Sequence, residues 1–166
     1  MATKILPILG PATKPDASGD VFFEPYSVKA TNDVFDQLVL IFNDTAAKDS
    51  IYGLFRIPQD YVDTAKILVE WSSTATAGDV EWDFDYRAVA AGESMDQASV
   101  QESVNQNDTA PGSTDLRLTA ELSLTDGNFA AGDLVPFFLS RDGTDGGDTM
   151  SAAAMVFGVY FSYADA

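Results

Sequence analysis

Alternation of apolar and polar residues with a period of two runs through most of this chain. Val80–Arg87 (VEWDFDYR) is its cleanest stretch: Val80, Trp82, Phe84 and Tyr86 point one way, and Glu81, Asp83, Asp85 and Arg87 the other. Successive side chains of a strand leave on opposite faces, so the pattern predicts one buried and one wet face and excludes a helix. Ala65–Ser72 (AKILVEWS) places Ile67, Val69 and Trp71 together, and Asp115–Leu124 (DLRLTAELSL) does the same with Leu116, Leu118, Ala120, Leu122 and Leu124. Gln37–Asn43 (QLVLIFN) and Ile51–Ile57 (IYGLFRI) are short apolar runs closed by Asn43-Asp44 and by Pro58. Asp133–Ser140 (DLVPFFLS) is almost wholly apolar, and its Pro136, lacking a donor, predicts an edge strand or a bulge. Met150–Tyr163 (MSAAAMVFGVYFSY) reads as a long last strand with Met155, Phe157, Val159, Phe161 and Tyr163 on one face.

Between these runs lie turns. Thr125–Asn128 holds an Asp-Gly pair suited to positive φ, and Asp142–Asp148 (DGTDGGD) is a flexible acidic loop. The polar stretch from Gly92 to Ser113 predicts a long connection with at most a short helix around Met95–Val104. So long a connection in a compact domain often contacts something else. Ahead of the strands, residues 1–30 are punctuated by Pro7, Gly10, Pro11, Pro15, Gly19 and Pro25 yet carry apolar Ile5, Leu6, Ile8, Leu9, Phe22 and Phe23. An extended arm laid on its own domain, or on a neighbouring subunit, reconciles the two.

About seven or eight strands without βαβ alternation predict an all-β, antiparallel two-sheet β-sandwich over residues 31–166, with the N-terminal arm over residues 1–30. The absence of cysteine removes the immunoglobulin disulfide, and the long loops favour a jelly roll.

Composition narrows the chemistry. With 26 acidic against 9 basic residues, the net charge is −17. Such a surface repels nucleic acid and anionic membranes; its plain reading is solubility, or tolerance of a salty medium. No cysteine and no histidine are present, which excludes thiolate chemistry, Ser-His-Asp triads and His-containing zinc sites. No signal peptide is evident in Met1–Gly10, and no segment has the roughly 20 apolar residues that a bilayer requires. No cofactor or metal is expected.

Each candidate site has a plain structural reading. The acidic strand face Glu81, Asp83 and Asp85 has a spacing reminiscent of paired-carboxylate hydrolysis, but nothing in the sequence sets one carboxyl apart from the others. A solvated face, paired with Arg87 or Arg117, is expected, and no catalytic residue is assigned. Asp142–Asp148 has the composition of a calcium loop but not the EF-hand spacing, so a hairpin with Arg141 neutralising it is expected. Trp71, Trp82, Tyr86, Tyr52 and Tyr61 suggest a sugar-stacking platform, but the tryptophans fall on inward faces. Tyr61, after Pro58-Gln59-Asp60, is the expected glycan contact if the chain is a carbohydrate-binding module.

The stretch Leu54–Tyr86, with Gly132-Asp133-Leu134, Ser140-Arg141-Asp142 and the terminal hydrophobic strand, resembles small jelly-roll proteins of tailed-bacteriophage particles. The resemblance implies a virion protein of the capsid decoration (cement) or head-fibre type. Such a protein is made in the host cytoplasm, is trimeric, and sits on the capsid surface against the major capsid protein. Its arm contacts would be Ile5, Leu6, Ile8, Leu9, Phe22 and Phe23, acting by apolar burial and arm exchange. The other reading is a carbohydrate-binding β-sandwich module.

Overall fold

The computed structural model describes residues 1–9, 14–15, 21–27, 36–45 and 48–166, with the backbone alone for 14–15, 22–27 and 36. Eleven strands are described: β1 (Thr3–Pro7), β2 (Lys14–Pro15), β3 (Phe22–Ser27), β4 (Asp36–Phe42), β5 (Asp49–Arg56), β6 (Tyr61–Ser72), β7 (Asp79–Tyr86), β8 (Glu102–Thr109), β9 (Leu118–Ser123), β10 (Leu134–Arg141) and β11 (Ala154–Asp165). The only helical element among the described residues is a 3-10 turn at Asp126–Asn128.

The strands form two antiparallel sheets, as the alternation predicts. One runs β3-β4-β11-β6-β9 and the other β2-β5-β10-β7-β8. From β4 onward the chain crosses between sheets at nearly every step, with β7–β8 the one hairpin kept within a sheet. The inward residues of both sheets make one core. Trp71 and Trp82 are fully buried with ring centres 6.1 Å apart, and Phe42 meets Trp82 edge-on at 5.4 Å. Rings of this size dominate the apolar area removed from water. The Trp71 indole N–H donates to Asp108.

Four expectations need correction. Residues 102–109 form β8, a strand along β7, and no helix covers Met95–Val104. Its inward positions are mostly polar, so hydrophobic patterning does not mark it. Pro136 lies on a central strand between β5 and β7, where it faces Arg87. The ladder merely skips its missing donor: Arg87 N–H donates to the Pro136 carbonyl, and pairing resumes at Leu134–Val89. β11 contains a bulge between Val156 and Gly158, so Ala154 and Val156 face the main core together with Val159, Phe161 and Tyr163. Met155 and Phe157 are thereby turned to a small second cluster with Val39 and Ile41. Leu116, expected inward, is half-exposed ahead of β9.

The N-terminal segment is integral to the sheet. β1 pairs with the C-terminal part of β11, on the edge where β4 takes its N-terminal part. Twelve residues of β11 thus accommodate two short partners end to end. Ile8 is buried in the core, Leu6 and Leu9 pack against it, and Ile5 points out, 59% exposed. Phe22 and Phe23 belong to β3, and their side chains lie outside the described residues.

Candidate functional site

Strands β5, β10 and β7 lie side by side, and their outward residues form rows across the second sheet. Tyr52, Phe138, Asp85 and Ser103 occupy one row; Leu54 and Pro136, with Arg87 beyond, occupy the next. The inward neighbours dictate this. Ile51, Phe55, Phe137, Leu139, Phe84 and Tyr86 fill the core, so the residues between them must face out. Gly53 is the inward exception, because the Phe137 ring lies over its Cα and a Cβ there would overlap that ring.

Two aromatic rings are thereby left on the surface. Tyr52 is 47% exposed, and its ring centre lies 4.8 Å from that of Phe138. The segment following β7 rises beside them, supplying Met95, Gln97, Ser99 and Val100 as one wall. It is pinned at its far end, where Gln101 N–H donates to the Tyr86 carbonyl and the Gln101 side chain accepts from Ala88 N–H. Asp85, Arg87 and Pro136 complete a groove of about 440 Å³. A smaller recess of about 320 Å³ lies across Met95, bordered by Arg56, Glu93 and Leu134. Aromatic rings with a few polar groups in a concavity are the usual make-up of a small-ligand or sugar site.

The opposite end of the same sheet face is closed. The 142–148 loop folds over it through turns in which Asp142 accepts from Thr144 and Asp145 accepts from Gly147, while Asn107 donates to the Gly147 carbonyl. Beneath it Glu81 is 4% exposed, and its Oε2 finds no partner. Burial, and then the charges of Asp145, Asp83, Asp148 and Asp142, push its carboxyl up to about 7. Burial also raises Asp83, against the opposing pull of Lys48, which bridges Asp83 and Asp142. Glu81, Asp83 and Asp85 of β7 are therefore not equivalent, contrary to the expectation of a uniformly solvated face. Arg141 does neutralise the loop. Fully buried, it forks onto both oxygens of Asp148 at 2.8 and 2.7 Å and donates to the carbonyls of Phe42, Met150 and Ala152. Arg117 pairs with Glu70 on the other sheet instead of with this face. Among the described residues no group of three carboxylates is placed to hold a metal ion.

Tyr61 lies away from the groove, half-buried at the start of β6. Its ring packs near Phe129, Phe161 and Tyr163, and its hydroxyl donates to Asp126 Oδ1 at 3.0 Å. Tyr52 carried a readable signal: within Ile51–Ile57, Ile51, Gly53, Phe55 and Ile57 share the inward parity, which leaves Tyr52 outward. Phe138 carried none, because both faces of β10 are apolar.

No family model and no curated protein matches the sequence. Solved structures match in fold. A family 35 carbohydrate-binding module from Clostridium thermocellum superposes over all of both chains, with a TM-score of 0.51 and 10% identity. The family 11 carbohydrate-binding module of a cellulosomal cellulase from the same organism covers 98% of this chain and 95% of its own, with a TM-score of 0.50 and 10% identity. The arabinose-bound α-L-arabinofuranosidase MgGH51 gives a TM-score of 0.53 at 11% identity over 95% of this chain, which spans only 24% of that enzyme. At such identities the likeness is one of fold: the chain is a β-sandwich of the jelly-roll type found in carbohydrate-binding modules.

Proposed function

We propose that this chain is a carbohydrate-binding module, acting by recognition and without catalysis, whose ligand lies in the groove over Tyr52 and Phe138. The observation that carries this reading is the outward ring pair of exposed Tyr52 and half-buried Phe138, set on the sheet and bordered by Asp85, Arg87, Gln97 and Ser99. Apolar sugar faces stack on such rings while hydroxyls bond to the polar rim. The fold likeness to the family 35 and family 11 modules supports it. A glycan array probed with the purified chain is expected to give hits that Tyr52→Ala or Phe138→Ala weakens about tenfold or more. An array without hits overturns the reading. Tyr61→Ala is expected to lower stability instead of affinity.

The virion-decoration reading is the second, and the exposed, outward Ile5 on β1 is the observation that favours it. It requires self-association that Ile5→Glu abolishes without unfolding the chain. A chain that sediments as a monomer at high concentration dismisses it.

A further inference from the structure

Carboxylates outnumber cations almost three to one in this sequence, 26 against 9, so an arginine has no shortage of partners. Lys14 and Lys29 lie outside the described side chains. Of the rest, Lys4 pairs with Asp60 and Asp165, Lys48 with Asp83 and Asp142, Lys66 with Glu121, Arg117 with Glu70, and Arg141 with Asp148. Arg56 and Arg87 are the two described side-chain cations without an ion pair, and both border the groove region. Arg87 stands beside Pro136 with its Nε buried and unpartnered, its hydrogen bond being Nη1 to the Ser99 carbonyl at 3.3 Å. Arg56 donates from Nε to the Gly132 carbonyl at 3.1 Å and edges the adjoining recess. Glu93 borders the same recess, but it caps the Ala90 N–H at 3.0 Å and makes no ion pair with Arg56.

A guanidinium is a fork of donors that fits a carboxylate or sulfate, and leaving two of them unpaired at one surface costs the fold favourable electrostatics. Building on the glycan-binding reading, we infer that the groove selects an acidic carbohydrate, one bearing carboxylate or sulfate groups, with Arg87 and Arg56 as its anion-recognising residues. Asp85 sets the ligand's polarity. It shares the row of Tyr52 and Phe138, so neutral hydroxyls lie there and the acidic substituent lies toward Leu134 and the two arginines. The negative field of the rest of the chain opposes such a ligand, so the local arginines must supply the selectivity.

The test is calorimetric titration of the full chain with a uronate oligosaccharide, its carboxyl-reduced counterpart, and a sulfated oligosaccharide. The acidic forms are expected to bind about tenfold or more tightly than the reduced one. Arg87→Gln is expected to erase that preference, Arg87→Lys to restore part of it, and Arg56→Gln to reduce it. Preference for uronate over sulfate, or the reverse, names the anion and supports the inference in either case. If Arg87→Gln lowers the unfolding midpoint, Arg56→Gln decides alone, since Arg56 bonds only one loop carbonyl. Equal binding of acidic and reduced forms, still lost in Tyr52→Ala, overturns this inference and leaves the glycan-binding reading standing. Absence of binding by all three forms, together with an array without hits, removes both.

Discussion

The two ends of one sheet face, carried by the same three strands, have opposite fates. At the Glu81 end the 142–148 loop closes over the surface, buries a carboxyl and is held by an arginine with no exposure. At the Tyr52 end the equivalent rows stay open, with two rings and two arginines facing out. The strands are common to both, so what separates them is whether a loop returns across the sheet. The closed end spends its polar groups on the fold. The open end keeps them for something else.

This contrast can be pressed experimentally, beginning with the closed end. Arg141→Met leaves Asp148 charged and buried and takes their arginine donor from the Met150 and Ala152 carbonyls, and should cost about 3–5 kcal/mol in denaturant unfolding. A loss below about 1 kcal/mol would mean the loop is not held by this pair. Glu81 comes next. Its folded carboxyl titrates near 7 while its ordinary value is 4.5, so the folded state holds the extra proton between those values. Stability from this group is therefore present at and below about pH 4.5 and falls as pH rises through 7, by on the order of 3 kcal/mol. Glu81→Gln should remove most of that fall, stabilising the protein near pH 8 and changing little near pH 5. The same effect at both pH values would refute a protonated Glu81.

Beneath the open end, Gly53→Ala pushes against the Phe137 ring, and such overpacking should cost about 1–3 kcal/mol by thermal unfolding. Since Phe137 also lines the groove floor, ligand affinity should fall with it. The smallest effect belongs to Tyr52→Ala, which should shift stability by less than about 1 kcal/mol. A larger loss would show that the ring serves the fold, and the contrast between the ends would collapse.

How much of this was legible in the sequence follows from what alternation can carry. The strands β6, β7, β9 and β10 could be read because each sets apolar residues against the core in step. β8 could not: polar Glu102, Gln106 and Asp108 share the parity that faces the core and break the pattern; Gln106 is exposed, and the other two are accounted for only in space. Glu102 takes bonds from the Tyr86 and Thr125 hydroxyls, and Asp108 takes the Trp71 indole. The phase of β11 was lost at Phe157, because a bulge moves every later residue to the other face. The site was half-visible through Tyr52 and invisible through Phe138. The distinction among Glu81, Asp83 and Asp85 depends on a loop some 60 residues further along the chain, beyond any local pattern.

The pairing of β1 with the end of β11 has a consequence for how the domain can be connected. Asp165 N–H donates to the Ala2 carbonyl at 3.1 Å, Asp165 Oδ1 accepts from Ala2 N–H at 2.6 Å, and Lys4 bridges to the same carboxylate. Residues 2 and 165 thus stand side by side, about one strand spacing of roughly 5 Å apart. A segment whose two limits adjoin in this way can be joined across them and reopened at an exposed loop such as Gly112–Thr114, or carried within a turn of a longer chain. In either arrangement the junction lies on the sheet opposite the one that carries Tyr52.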